Sequence, residues 1–187
     1  MNTQKTRKKY VFLFYIVVAF IATIGFAYQI TTQNDSMQMI VKEWSGKEFL
    51  LSNAIKEKIN SQQIGTQDLS KYIIISYIDS TTCTSCRIRA FGKTIDSLKT
   101  VTNRQIRSLL IIDSKTLTDV HHAVEQNGLK SPYVIDVEER ILKQNNIPNN
   151  DKIRTFLVDS LYRVVLIGNP IVNQNIFKLY VKEIKKG

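Results

Sequence analysis

Cysteine, proline, glycine and histidine are all scarce in this chain. Two cysteines exclude a disulfide-rich scaffold and a four-cysteine zinc or iron–sulfur centre. Three prolines and seven glycines in 187 residues, beside 43% apolar residues, exclude a fibrous or a disordered chain. Only two histidines occur, side by side at positions 121 and 122. No repeat of about 20–50 residues is present. Nor is there a G-x-S-x-G, an H-E-x-x-H, a P-loop or a dinucleotide fingerprint, so hydrolase and nucleotide chemistry have no support. Acidic residues are also few, 16 against 26 Lys and Arg, for a formal net charge of +10.

Part of that charge lies at the start. Lys5, Arg7, Lys8 and Lys9 precede an uncharged apolar run over residues 10–30, and the next cation is Lys42. A run of about 20 apolar residues matches the hydrocarbon core of a bilayer. Cations on its N-terminal side place residues 1–9 in the cytoplasm and the remainder outside. Residues 10–30 are therefore expected to be a transmembrane signal anchor in the cytoplasmic (inner) membrane. Residues 31–36 would be a tether, and residues 37–187 a domain in the periplasm. The rival is a cleaved signal peptide with a small-x-small site at Gly25 and Ala27, although the run is long for that role. On either reading the domain works where cysteines can be oxidised and does not meet nucleic acid. Lys178, Lys182, Lys185 and Lys186 read as a solvated helix face, or as a weak attraction to anionic lipid.

Within the exported part, residues 37–70 are ambiguous, with Trp44, Phe49, Leu50, Leu51 and Ile55 apolar enough to pack. Residues 72–78 (YIIISYI) read as a strand buried on both faces. Ile88, Phe91, Ile95 and Leu98 follow helical spacing, and residues 108–112 (SLLII) form a second buried strand. Leu117, Val120, His121 and Val124 mark a second helix, ended by Gly128. A short strand at 133–135 and a short helix at 137–144 follow. Residues 155–158 and 164–167 form a hairpin, and Ile176, Leu179, Tyr180 and Ile184 mark a last helix. The order predicts an α/β fold with a central mixed sheet flanked by helices.

The chemistry concentrates at Cys83 and Cys86, a C-x-x-C where a buried strand hands over to a helix. A thiol there faces unpaired N–H groups and the positive end of the helix dipole, which favours the reactive thiolate. One helical turn brings the two sulfurs together, so a small disulfide ring can open and close. Arg87 and Arg89 are expected to add positive charge nearby. Cys83, at the helix start, is the expected nucleophile. Cys86, expected to be more buried, would resolve the mixed disulfide. Two bland readings compete. A zinc site needs about four ligands, and His121 and His122 point about 100° apart, His121 being expected in the core. A structural disulfide closing so short a loop gains little chain entropy.

These elements resemble the thioredoxin-like superfamily. The strand YIIISYI, the C-T-S-C, the strand SLLII, the TFLVD…RVVLI hairpin and the final helix carry the resemblance. It looks most like the TlpA/ResA-related membrane-anchored or periplasmic thioredoxin-like proteins of Bacteroidetes. There a W-x-G-K element similar to residues 44–47 and a G-N-P similar to residues 168–170 recur. The chain departs from that pattern in several places. Thr84 and Ser85 stand where Gly-Pro is usual, and Thr82 where Trp is common. Tyr77 falls at the family's buried acid, with Asp79 near it. Ile153 or Arg154 falls where a cis-proline is usual, with Pro148 upstream.

The resemblance implies a thiol–disulfide oxidoreductase that needs no cofactor. It would act on protein thiols and disulfides of the cell envelope, in the reducing direction, and be fed by a membrane electron donor. The alternatives are a copper- or zinc-handling protein and a redox-inert partner-binding domain.

Overall fold

The structure, a computed structural model, describes residues 20–23, 40–62, 69–79, 81, 83–114 and 117–186. The chain divides into two compact units, Met1–Glu43 and Trp44–Gly187. In the first unit, residues 20–23 and 40–43 are helical. The expected span at 10–30 lies almost wholly outside the described residues, as does the tether at 31–36. Among the described residues no helix is long and apolar enough to cross a membrane.

The second unit is built from α1 (Asn53–Asn60), β1 (Leu69–Ile78), α2 (Thr84–Thr102), β2 (Gln105–Ile112), α3 (Leu117–Gln126) and β3 (Tyr133–Ile135). A 3-10 turn (Val137–Glu139), α4 (Arg140–Asn145) and a second 3-10 turn (Asp151–Ile153) follow, then β4 (Thr155–Val158), β5 (Val164–Ile167) and α5 (Gln174–Lys186). The five strands stand in the order β3-β2-β1-β4-β5. β1 pairs parallel with β2, Ile74 opposite Ser108 and Ile78 opposite Ile112. β2 pairs parallel with β3. β4 runs antiparallel to β1, with Ser76 opposite Thr155, and β5 antiparallel to β4. Two parallel strands joined through a helix, flanked by an antiparallel hairpin beside the first, is the thioredoxin-like arrangement.

β1 is central because its residues are β-branched or aromatic on both faces. Tyr72, Ile74 and Ile78 turn to one face, where Ile88, Phe91, Ile95 and Leu98 of α2 pack with Val120 and Val124 of α3 and Tyr180 and Ile184 of α5. Burying each large apolar side chain of α2 contributes about 1.5–3 kcal/mol. The helix stops at Asn103, whose φ of 52° is left-handed. Elsewhere in the sheet, Phe156, opposite Ile75 in register, stacks on Trp44 at 4.8 Å and on Phe49 at 5.0 Å between ring centroids.

The W-x-G-K element therefore has a structural use. Gly46 donates to the Val164 carbonyl and Val164 N–H to that of Lys47, so residues 46–48 extend the hairpin beyond β5. Three apolar assignments are corrected. Leu50, Leu117 and Leu179 are exposed. Leu50 and Leu179 each lie one position off a buried residue, Phe49 and Tyr180, whereas Leu117 shares the angular stripe of Val120 and Val124 but stands at the first residue of its helix. The four C-terminal lysines, Lys178, Lys182, Lys185 and Lys186, are exposed as expected.

Candidate active site

β1 ends at Ile78, and five residues later Cys83 caps α2. The backbone of Cys83 is extended, and its sulfur accepts a hydrogen bond from the Cys86 N–H at 3.3 Å. The Arg87 N–H donates to the Cys83 carbonyl at 3.1 Å, closing the first turn. Cys83 and Cys86 are joined in a disulfide with their Cα atoms 5.3 Å apart. The sulfur thus occupies the helix-start position where unpaired N–H groups converge.

Both cysteines are exposed, which corrects the expectation that Cys86 is the more buried. The reason is angular. The face of α2 against the sheet runs through Ile88, Phe91, Ile95 and Leu98, and Cys86 lies two residues, about 200°, from Ile88. Thr84, one turn before Ile88, is the residue of this turn on the inner side.

Around the disulfide the polar contacts form two sets. Ser85, between the cysteines, accepts from Asn127 Nδ2 at 2.8 Å, and Asn127 Oδ1 accepts from Arg89 Nε at 2.9 Å. The start of α2 is thereby fastened to the end of α3. The second set is ionic. The Arg87 guanidinium pairs with the Asp151 carboxylate. Arg154, buried to 4% exposure, pairs with Asp79 and stands 3.8 Å from Asp151. Its remaining donors reach the Pro148 carbonyl at 3.0 Å and Asn149 Oδ1 at 2.6 Å. Its guanidinium also lies 5.7 Å from the Tyr77 ring centroid.

This network decides the state of Arg87 and of Asp79. Arg87 does not stand as an unpaired cation beside the sulfurs, because Asp151 holds it. Asp79 is a firmly ionised carboxylate: burial works to raise its pKa, but hydrogen bonds from Thr81 and the charge of Arg154 outweigh burial and hold it below the ordinary range. Tyr77, where the resemblance would place a buried acid, donates to Asp136 at 3.2 Å, and burial, reinforced by the Asp136 charge, keeps the phenol protonated. No described peptide bond is cis. Arg154 occupies the place of the expected proline, its carbonyl accepting from Tyr77 N–H at 2.9 Å.

The histidines are placed elsewhere. His121 is exposed rather than packed in the core. The apolar stripe of α3 is only Val120 and Val124, so His121 turns outward and its Nδ1 meets the Tyr133 hydroxyl at 2.5 Å. His122 meets Gln126 at 2.8 Å. Among the described residues no group of three or more His, Cys, Asp or Glu side chains is placed to hold a metal ion.

The sequence reading missed Asp151, the pairing of Arg154, and Asn127. A cation directly before the apolar TFLV strand is the signal that calls for a buried partner. Nothing comparable marks Asn127.

No protein-family model matches the chain, and no curated protein matches it in sequence. Solved structures with a similar course include the thioredoxin domain of a thiol-disulfide oxidoreductase from Bacteroides vulgatus, 16% identical, with a TM-score of 0.47 over 62% of this chain and 80% of that one. A secreted thiol-disulfide isomerase from Corynebacterium glutamicum is 14% identical, with a TM-score of 0.47 over 62% and 72%. A secreted disulfide oxidoreductase from Mycobacterium tuberculosis is 11% identical, with a TM-score of 0.45 over 62% and 84%. Likenesses of this size carry nothing about activity, and the fold assignment rests on the strand order and pairing.

Proposed function

We propose that this thioredoxin-like chain is an exported, membrane-anchored thiol–disulfide oxidoreductase that reduces disulfides of envelope proteins. The observation that carries the reading is the exposed Cys83–Cys86 disulfide at the start of α2. A bond meant only to stabilise would be poorly placed there, at the surface and closing a very short loop.

In the reduced form the Cys83 thiolate attacks one sulfur of a client disulfide. A mixed disulfide forms, and the client's other sulfur leaves as a thiolate that takes a proton from water. The Cys86 thiolate then attacks the Cys83 sulfur and releases the second client thiolate. The client gains two electrons and two protons, and the enzyme is left with its intramolecular disulfide. A membrane electron donor restores the dithiol. The pairing of Arg87 with Asp151 supports the reducing direction, since a thiolate that gains less from nearby cations leaves the disulfide form relatively favoured. Anchoring and the periplasmic side rest on the uncharged run at 10–30 with cations before it.

The test is trapping in cells. A Cys86→Ser chain cannot resolve, so it accumulates mixed disulfides with clients through Cys83, in the membrane fraction. Cys83→Ser accumulates none. A Cys86→Ser chain that carries no client, with client thiol states unchanged in the double serine variant, would overturn the proposal in favour of a metal-handling or partner-binding role.

A further inference from the structure

We propose that Asp151 sets the reducing power of the Cys83–Cys86 couple by sequestering the Arg87 guanidinium, through a chain of alternating charges that also fixes the loop beside the disulfide. The inference rests on the dithiol reading above and adds its regulation by residues outside the motif.

The chain runs Arg87–Asp151–Arg154–Asp79. It begins on the first turn of the redox helix, passes through the 3-10 turn at Asp151–Ile153 and ends on the residue after β1. Arg87 is four residues after Cys83, and its N–H closes the first turn on the Cys83 carbonyl at 3.1 Å, so the two residues are neighbours at the helix start. A free guanidinium at that position would stabilise a thiolate on Cys83. Asp151 diverts it, and Arg154 in turn is held by Asp79, Asn149 and the Pro148 carbonyl. The exposures along the chain grade from 4% at Arg154 and 15% at Asp79 to 25% at Arg87 and 39% at Asp151. The inner pair is therefore fixed, and the outer pair is the adjustable one.

The four charges cancel. Arg89, the other cation on this turn, is bonded to Asn127 and turned toward α3. Thus the net field at Cys83 depends on whether Asp151 keeps its charge. Asp151 is a positioning residue, and it makes no contact with a client in this account. Its backbone is held independently, since the Asp151 carbonyl accepts from Asn169 Nδ2 at 3.2 Å and Asn150 caps the turn. Removing only its charge should leave the loop in place.

The experiment uses the full chain in detergent, equilibrated with glutathione buffers and read by thiol alkylation, with the pH dependence of Cys83 alkylation measured alongside. Asp151→Asn is expected to shift the equilibrium about fivefold toward the dithiol, making the couple a weaker reductant, and to lower the pH at which Cys83 becomes reactive. Arg87→Gln combined with Asp151→Asn is expected to return both readings close to wild type, because it removes the cation that was released. The Asp151→Asn effect should shrink as salt is added. An unchanged midpoint in Asp151→Asn, or a double variant that stays shifted, overturns the proposal. If the wild-type chain itself shows no reversible intramolecular disulfide, the dithiol reading fails instead, so the two failures are told apart.

Discussion

The first turn of α2 and the rest of the same helix obey different rules. From Ile88 onward the helix is held by apolar contact: Ile88, Phe91, Ile95 and Leu98 are all buried against the sheet. Before Ile88 it is held by directional polar bonds, from Arg87 to Asp151, from Asn127 to Ser85 and from the Cys86 N–H to the Cys83 sulfur. The apolar part buries surface, and its cohesion is insensitive to charge. The polar part leaves both cysteines open to a partner and lets neighbouring charges act on them. One helix thus supplies a rigid mount and a tunable end.

The largest break in this comparison should come from the apolar part. Phe91→Ala is expected to cost about 3–5 kcal/mol in denaturant unfolding. The folded fraction should keep its redox midpoint, since Phe91 is buried in the apolar core and makes no polar bond to the first turn. A shifted midpoint would show that the two parts are not separable.

Next is the buried end of the ionic chain. Arg154→Gln is expected to cost about 3 kcal/mol at neutral pH, because Asp79 loses its cation in a poorly hydrated place. The sign with pH is specific. The depressed carboxyl of Asp79 contributes stability above its unfolded pKa and loses it as pH falls through the folded value. The deficit of Arg154→Gln should therefore be full above about pH 5 and shrink below about pH 4. Unfolding curves at both pH values check this, and a deficit constant with pH would deny the ion pair its role.

Removing both sulfurs should affect stability less. Cys83→Ser with Cys86→Ser is expected to lower it by no more than about 2 kcal/mol, since the loop closed is short, while client reduction is lost entirely. A much larger loss of stability would make the bond structural. The smallest effect is expected at Asn127→Ala, about 1 kcal/mol, for the bonds to Ser85 and Arg89. Slightly faster proteolysis near residue 85 would accompany it.

The same division explains what the sequence disclosed. The strands, α2 and the hairpin were legible because each is a run of β-branched residues or a helical stripe, and burial follows from that pattern. The C-x-x-C at the strand-to-helix junction was legible because it is local. The ionic chain was not, since Asp79 and Arg154 are 75 positions apart and Arg87 and Asp151 are 64 apart. Only the antiparallel pairing of β4 with β1 brings those segments together. The outward turn of Cys86 was readable in principle from its angle to Ile88. Its place one turn into the helix suggests depth, and its angle decides against it.

The central claim is that Cys83 and Cys86 form a working redox couple, and a redox titration of the intact chain tests it most directly. One reversible two-electron transition between dithiol and disulfide is expected, with a midpoint near or below about −270 mV, the region of a protein reductant. A midpoint near roughly −120 mV would contradict the reducing direction. Cysteines that form no intramolecular disulfide at any poise would contradict the couple itself.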